Sequence, residues 1–229
     1  MKPIITQNGT EICKVVPARC NVFIVSRLGR SILIDTGMHS DRWSLKRALL
    51  KKGFEPKAVI LTHSHFDHAG NAAWLKKIYG AEIVAHVSER EYLEKGDMPI
   101  PEGTLSITKG LVSVGRKMPS LFNFESCSPD IIIDEFMDLS VLGFNGFVMH
   151  TPGHSQGEVA IVIDDEIAFA GDSIIGTIPG KPFPPFADNI NDLLKSWGKL
   201  LDTKCRLFLP GHGRAVSREV LEQEYRERI

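Results

Sequence analysis

Thr62-His63-Ser64-His65-Phe66-Asp67-His68-Ala69-Gly70 follows directly on the apolar run Ala58-Val59-Ile60-Leu61. The run reads as a buried strand, so the polar cluster begins where a strand ends. On an extended chain, side chains two residues apart point the same way. His63 and His65 therefore reach towards one point, while Asp67 and His68 follow as the chain turns towards Gly70-Asn71. Imidazole and carboxylate suit zinc and other borderline divalent ions. A single histidine here would read as a polar turn or a hydrogen-bonded core residue. Four candidate ligands at this spacing read as a metal site.

Upstream, Asn21–Val25 and Ser31–Asp35 are strand-like runs within an antiparallel region over residues 12–35, joined by Arg27-Leu28-Gly29-Arg30. The second run ends in Asp35-Thr36-Gly37. A carboxylate there is expected to brace the turn or to orient a neighbouring ligand rather than to bind metal itself. His39 is expected at the surface or rim. Asp41 is placed to cap a helix to about Lys52, with Trp43, Leu45, Ala48 and Leu49 on its apolar face. Downstream come a helix over 71–79, a strand over 81–86 and a short helix capped by Ser88. His86 matches no motif and is left out of the site.

The alternation then breaks over residues 96–130, which hold several Gly and Pro residues. A connection of this length reads as a lid over the site, or as a surface excursion or dimer contact. Strand patterns resume at Ile131–Ile133, Leu139–Leu142 and Phe147–His150. Thr151-Pro152-Gly153-His154-Ser155 is a tight turn with a histidine at its tip. Val159–Ile163 and Ile167–Ala170 form a hairpin leading to Gly171-Asp172. A Pro-rich loop, a helix over 191–201 and a strand over 206–209 lead to Pro210-Gly211-His212-Gly213, and Ser217 caps a charged terminal helix.

The 229 residues, 43% of them hydrophobic, carry ample material for a core. The 27 basic and 28 acidic residues give a net charge of −1, so no global field favours nucleic acid or an anionic membrane. The four cysteines are scattered without a Cys-x-x-Cys pair, which argues against a disulfide framework or a zinc knuckle. The N-terminus lacks the apolar core of a signal peptide, and no run reaches membrane-spanning length. The expectation is a reduced, cytoplasmic, soluble protein.

His63-x-His65-x-Asp67-His68, then Gly153-His154, Gly171-Asp172 and Gly211-His212, with Asp35-Thr36-Gly37 ahead of them, resembles the metallo-β-lactamase superfamily in motif and order. The resemblance spans nearly the whole chain. It implies an α/β (α+β) fold: a four-layer αβ/βα sandwich of two mixed β-sheets flanked by helices. Residues 1–229 would form one domain, with a lid or insertion at 96–130. Carried over position by position, it puts His63, His65 and His154 on one divalent ion and Asp67, His68 and His212 on a second, with Asp172 bridging. Zinc is the expected metal, with iron or manganese as alternatives. An aspartate at 172 resembles glyoxalase II and lactonases rather than true β-lactamases.

The function so implied is a metal-dependent hydrolase. Its attacking hydroxide would be shared by two ions that lower the pKa of water to about 7, with Asp67 orienting it as the catalytic carboxylate. The substrate would be a small ester, thioester or lactone entering an apolar mouth, for which Leu121, Phe122, Phe124, Phe183 and Phe186 are candidate lining residues. The glutathione-binding helical region of glyoxalase II is not seen after His212, and Ser173-Ile174-Ile175 departs from the tyrosine of quorum-signal lactonases. A mononuclear iron persulfide dioxygenase and a two-metal phosphodiesterase or nuclease are the alternatives on the same scaffold. A small-molecule substrate is expected, without nucleic acid or membrane as partner; the 96–130 segment is the candidate homodimer contact.

Overall fold

Residues 2–15 and 19–229 are described by a computed structural model; positions 16–18 of the expected antiparallel region lie outside them. The first sheet comprises β1 (Ile4–Ile5), β2 (Glu11–Val15), β3 (Val22–Arg27), β4 (Arg30–Ile34), β5 (Ala58–Ile60), β6 (Glu82–His86) and β7 (Ile131–Ile133), in that spatial order. Its first four strands are antiparallel, and β4 to β7 are parallel.

The second half of the chain supplies β8 (Phe136–Asp138), β9 (Gly146–His150), β10 (Val159–Ile163), β11 (Ile167–Phe169), β12 (Ile175–Gly176), β13 (Leu207–Leu209), β14 (His212–Gly213) and β15 (Val216–Ser217). Six of these form a second mixed sheet in the order β15-β13-β11-β10-β9-β8, and β12 pairs with β14 in a small parallel ribbon. The β10–β11 turn places Asp164 and Asp165 at φ 56° and 55°, the left-handed angles that a two-residue hairpin turn requires.

Strand periodicity accounts for the layering. Phe23, Val25, Ile32 and Ile34 face Val159, Ile161, Ile163 and Phe169 between the sheets, where the Phe23 and Phe169 rings meet edge to face at 5.1 Å. The alternate residues Val22, Ile24 and Leu33 point outward. They pack under α1 (Arg42–Lys52), α2 (Phe66–Ala69), α3 (Ala72–Tyr79) and α4 (Arg90–Lys95). On the far side, Ala160, Val162 and Phe208 pack under α6 (Ile190–Asp202) and α7 (Arg218–Arg226) through Leu193, Trp197, Leu200 and Leu221. The central strands β5, β10 and β11 are thus buried on both faces, which is why they read as continuous apolar runs. The result is the layered α/β sandwich of helices, two sheets and helices.

Several local readings differ from the sequence. Leu139–Leu142 is a 3-10 turn, not a strand, because Asp138 caps it by accepting from Ser140 N at 2.7 Å and Gly143 closes it at φ 84°. The helix expected after Ser88 divides into a 3-10 turn over Val87–Glu89 and then α4. Trp43 is 69% exposed, since Leu45 and Leu49 already fill the sheet-facing side of α1. Residues 96–130 contain α5 (Ser106–Gly115) and a 3-10 turn over Pro119–Phe122. The strap 102–104 is tied to the Pro-rich loop: Thr104 N donates to Pro185 O at 3.0 Å and Ala187 N to Glu102 O at 2.8 Å. Among the described residues, no helix is long and apolar enough to cross a membrane.

Candidate metal centre

The polar residues gather where strands from both sheets stop. His63, His65, Asp67 and His68 follow β5, His154 follows β9, Asp172 follows β11 and His212 opens β14. Three of these groups fall within mutual ligand range: His63 with His65 and His154, His63 with His68 and Asp172, and Asp67 with His68 and His212. The seven side chains expected to bind metal thus share one site, fixed on strand ends rather than on free loops.

The hydrogen bonds around each imidazole decide which nitrogen faces the centre. His65 Nε2 lies 3.3 Å from Pro99 O, His154 Nδ1 3.0 Å from Phe186 O and His212 Nδ1 3.1 Å from Arg19 O. A carbonyl only accepts, so each of these nitrogens carries a proton, and on the neutral His65 and His154 rings the other nitrogen is bare. His68 Nδ1 donates to Asp35 Oδ2 at 2.9 Å. Thr62 Oγ1 gives its proton to the Asp35 carboxylate and accepts from His63 Nδ1 at 3.1 Å. The His63, His65 and His154 rings therefore aim a bare nitrogen inward, while the inward Nε2 atoms of His68 and His212 face the carboxylates of Asp172 and Asp67, and, against the effect of burial, nearby negative charge raises both imidazoles above their usual range.

Those bare nitrogens have nothing of the opposite polarity beside them. His65 Nδ1 and His154 Nε2 face each other at 3.1 Å as two lone pairs, an arrangement that repels unless a cation lies between. Among the described residues, His63 Nε2, His68 Nε2 and Asp172 Oδ1 are buried without a hydrogen-bond partner. An unpaired buried polar atom costs about 1–3 kcal/mol, and a shared cation removes that cost for several atoms at once. The donor set fits divalent metal.

Electrostatics agree. Burial, and then the proximity of His154, pulls the His65 imidazole down to about 3, and burial takes His154 to about 4. Both stay neutral, with lone pairs free, at neutral pH. Burial opposes ionisation of Asp67, but the hydrogen bond from His212 and the neighbouring imidazoles outweigh it and hold the carboxyl well below its usual range. Asp172 lies centrally: Oδ1 is 3.5 Å from His68 Nε2, and Oδ2 is 3.4 Å from His212 Nε2 and 3.8 Å from His154 Nε2. Asp67 Oδ2 sits 3.2 Å from His212 Nε2. Asp35, at φ 57°, keeps its carboxylate behind the centre, on Thr62 N, Thr62 Oγ1 and His68 Nδ1.

Two buried carboxylates that the sequence reading passed over hold these loops together. Glu89 accepts from Ser64 N at 3.0 Å and from Ser64 Oγ through one oxygen. Its other oxygen accepts from Ser155 Oγ at 2.9 Å and Gly157 N at 3.0 Å. It thereby joins the turn carrying His63 and His65 to the turn carrying His154. Glu158 accepts from Asp172 N at 2.6 Å, Ser173 N at 3.1 Å and Ser173 Oγ at 2.6 Å. Burial pushes both carboxyls up, Glu158 well above the usual range. Glu158 left one signal in the sequence, a carboxylate fused to the wholly apolar Val159–Ile163; Glu89 looked like an ordinary helix start.

His65, Asp67, His154, Asp172 and His212 form the floor of a cavity of about 390 Å3. Its walls are Phe66, Met98, Ile100, Pro101, Phe122, Ile175, Thr177 and Pro184-Pro185-Phe186. Of the aromatic residues expected to line the mouth, Phe122 and Phe186 do so. Phe124 instead packs beneath the first sheet's outer face. Phe183 packs against Trp197 with ring centroids 6.0 Å apart, and Leu121 is exposed. His39 is exposed, and His86 stacks on His150 at 4.0 Å.

Gly211 is required for space. A Cβ there would press on Asp172 Oδ1 and on the His68 ring. Gly211→Ala is expected to lower turnover by about a hundredfold through displacement of Asp172, at an overpacking cost of about 1–3 kcal/mol. Turnover rates measured beside thermal unfolding check this; parent-like rates would show that the clearance is not needed.

Comparison with known proteins agrees with the fold. A family model described as "Metallo-beta-lactamase superfamily" matches residues 15–212. The chain belongs to the metallo-β-lactamase superfamily. An uncharacterized protein of Mycobacterium leprae is 26% identical over 212 residues, covering 87% of this chain and 88% of its own. An atrochrysone carboxyl ACP thioesterase of Aspergillus fumigatus is 23% identical over 212 residues, covering 91% of this chain; the chain spans only 55% of that longer relative. The crystal structure of the BLEG-1 B3 metallo-β-lactamase superposes with a TM-score of 0.71 at 22% identity, over 93% of this chain and 96% of that one. At that identity the likeness is one of fold.

Proposed function

We propose that the protein is a dinuclear metal-dependent hydrolase that cleaves a small apolar ester, thioester or lactone. The observation that carries this reading is the inward array of bare imidazole nitrogens and carboxylate oxygens at the floor of an apolar cavity. His63, His65 and His154 would hold one ion and Asp67, His68 and His212 the other, with Asp172 between them. Zinc suits the nitrogen-rich set best, and iron or manganese would also be held. Bound there, the ions supply a water-derived nucleophile at neutral pH and a Lewis acid for the carbonyl oxygen. Asp67, kept ionised, orients the attacking group. Glu89 and Glu158 fix the ligand turns so that no rearrangement accompanies reaction. The apolar walls exclude bulk water and position the acyl part of the substrate.

Chemistry of the walls separates the substrate classes. Among the described residues lining the cavity there is no lysine or arginine, so a phosphodiester or a substrate carboxylate finds no counter-charge beside the reacting bond. A thioester or lactone asks only for apolar contact and a polarised carbonyl, and the thioesterase named among the relatives supports that choice. Residues 96–130 act as the lid, through Met98, Ile100, Pro101 and Phe122. Four free cysteines support a reducing compartment such as the cytoplasm. The test is a panel of an acyl thioester, a lactone and bis(p-nitrophenyl) phosphate assayed on the metal-loaded protein. Thioester or lactone turnover well above phosphodiester turnover is expected. The reverse order, or oxygen uptake on a persulfide with one iron per chain, would refute the assignment.

A further inference from the structure

We infer that the cavity rim beside the β12–β14 ribbon binds an anionic group on the leaving half of the substrate, which makes that substrate an acyl thioester of an anionic thiol; this rests on the hydrolase reading of the metal centre. Three segments are fastened around the ribbon, and each carries a cation. Arg19 O accepts from His212 Nδ1 at 3.1 Å. Two residues on, Asn21 ties the same segment down, with its N–H on Gly211 O at 2.6 Å and its side-chain amide on Pro210 O at 2.8 Å and Gly213 O at 3.0 Å. Ile175 N donates to Pro182 O at 2.9 Å, next to Lys181, and Arg214 N donates to Gly176 O at 2.9 Å. The three segments therefore border the cavity on the side lined by Ile175, Thr177 and His212.

Register places Arg214 more closely. The ribbon pairs Ile175 with His212 and Gly176 with Gly213. The bond from Arg214 N to Gly176 O continues this parallel ladder by one step and sets Arg214 beside Thr177. Among the described residues lining the cavity, Thr177 is the one hydrogen-bonding side chain outside the metal-binding set. Thr177 is exposed, as are Arg19, Lys181 and Arg214, and these cations make no ion pair among the described residues.

Charge separates the two sides of the cavity. Residues 12–34, 173–187 and 203–217, from which the ribbon and its surroundings are built, contain no aspartate or glutamate. On the lid side, Met98, Ile100 and Phe122 are apolar, and Pro101 leads into Glu102, whose N–H donates to Asp188 Oδ1 at 3.1 Å. An acyl chain therefore suits the lid side and an anion the ribbon side. The net charge of −1 hides this because the excess of cations is local. Arg19, Lys181 and Arg214 stand outside the lining residues, so the anion they hold lies several bonds from the scissile carbonyl. Guanidinium binds phosphate and carboxylate alike in a bidentate fork. The phosphate of a pantetheine-type thiol and the carboxylates of a cysteinyl peptide share that chemistry, whereas a neutral lactone leaves the rim unused.

The test compares thioesters of one acyl group with coenzyme A, with glutathione and with uncharged N-acetylcysteamine, on the metal-loaded full-length chain. At least one anionic thioester is expected to exceed the neutral one about tenfold in kcat/KM, chiefly through KM, and the preference should shrink as salt rises. Which anionic thiol leads tells phosphate from carboxylate. The variant Lys181→Ala/Arg214→Ala is expected to lower the ratio of anionic to neutral kcat/KM by about tenfold, and a ratio is insensitive to the amount of folded enzyme. Equal kcat/KM on neutral and anionic thioesters would overturn the inference and leave the hydrolase reading standing, as would a preference that the variant keeps. Lactone turnover with no thioester hydrolysed would overturn the thioester choice and the inference together.

Discussion

Asp172→Ala is expected to lower kcat/KM by about a thousandfold while the chain stays folded. The carboxylate lies between the two ligand clusters, with Oδ1 towards His68 and Oδ2 towards His212 and His154. Among the described residues it is the carboxylate within reach of imidazoles from both clusters, so its loss removes a shared negative charge from the centre and leaves those imidazoles without a common partner. A thousandfold corresponds to about 4 kcal/mol of transition-state stabilisation, within the range metal assistance supplies. The turn itself survives, because Glu158 grips it through the backbone N–H groups of residues 172 and 173 and through the Ser173 hydroxyl. Metal content, steady-state kinetics and circular dichroism on the same preparation separate these effects. Parent-like turnover would remove Asp172 from the centre, and an unfolded variant would show that its role is structural.

Glu89→Ala should destabilise the protein more than any single ligand substitution, although Glu89 touches no ligand side chain. Its carboxyl satisfies four donors from two turns. At about 1 kcal/mol for each hydrogen bond the loss is about 4 kcal/mol, a fall in Tm on the order of 10 °C for a chain of this size. Glutamine is a weak rescue for a geometrical reason. Each carboxylate oxygen accepts from a backbone N–H, Ser64 on one side and Gly157 on the other. An amide offers an acceptor to one of them and sets its own N–H against the other. The turns bearing His63, His65 and His154 would then separate, so metal affinity is expected to fall with stability. Equilibrium unfolding and metal titration of both variants test this, and an unchanged Tm in Glu89→Ala would contradict it.

How much of this could be read beforehand depended on distance along the chain. The cluster at 63–68 was legible because period-two geometry and a strand-ending turn act over a few residues. The glycines beside residues 154, 172 and 212 marked turns in the same local way. The inter-sheet core was legible as well, since strands buried on both faces must be apolar throughout. Glu89 was not, because its partners lie 25, 66 and 68 residues away, and nothing near it in sequence announces them. Phe124 and Phe183 were grouped with the lining residues on residue type alone. Packing decided otherwise, sending one beneath the first sheet and the other against Trp197. The 3-10 turn at Leu139–Leu142 shows a local contest the pattern concealed: a capping aspartate and a following glycine outweighed an apolar run.

The central claim is that residues brought together from both sheets hold a pair of cations that the reaction needs, and elemental analysis of native protein purified without chelator tests it most directly. The expected result is close to two divalent transition-metal ions per chain, with turnover lost in excess EDTA and restored by added Zn2+. Protein free of such ions that keeps full turnover in EDTA would contradict it.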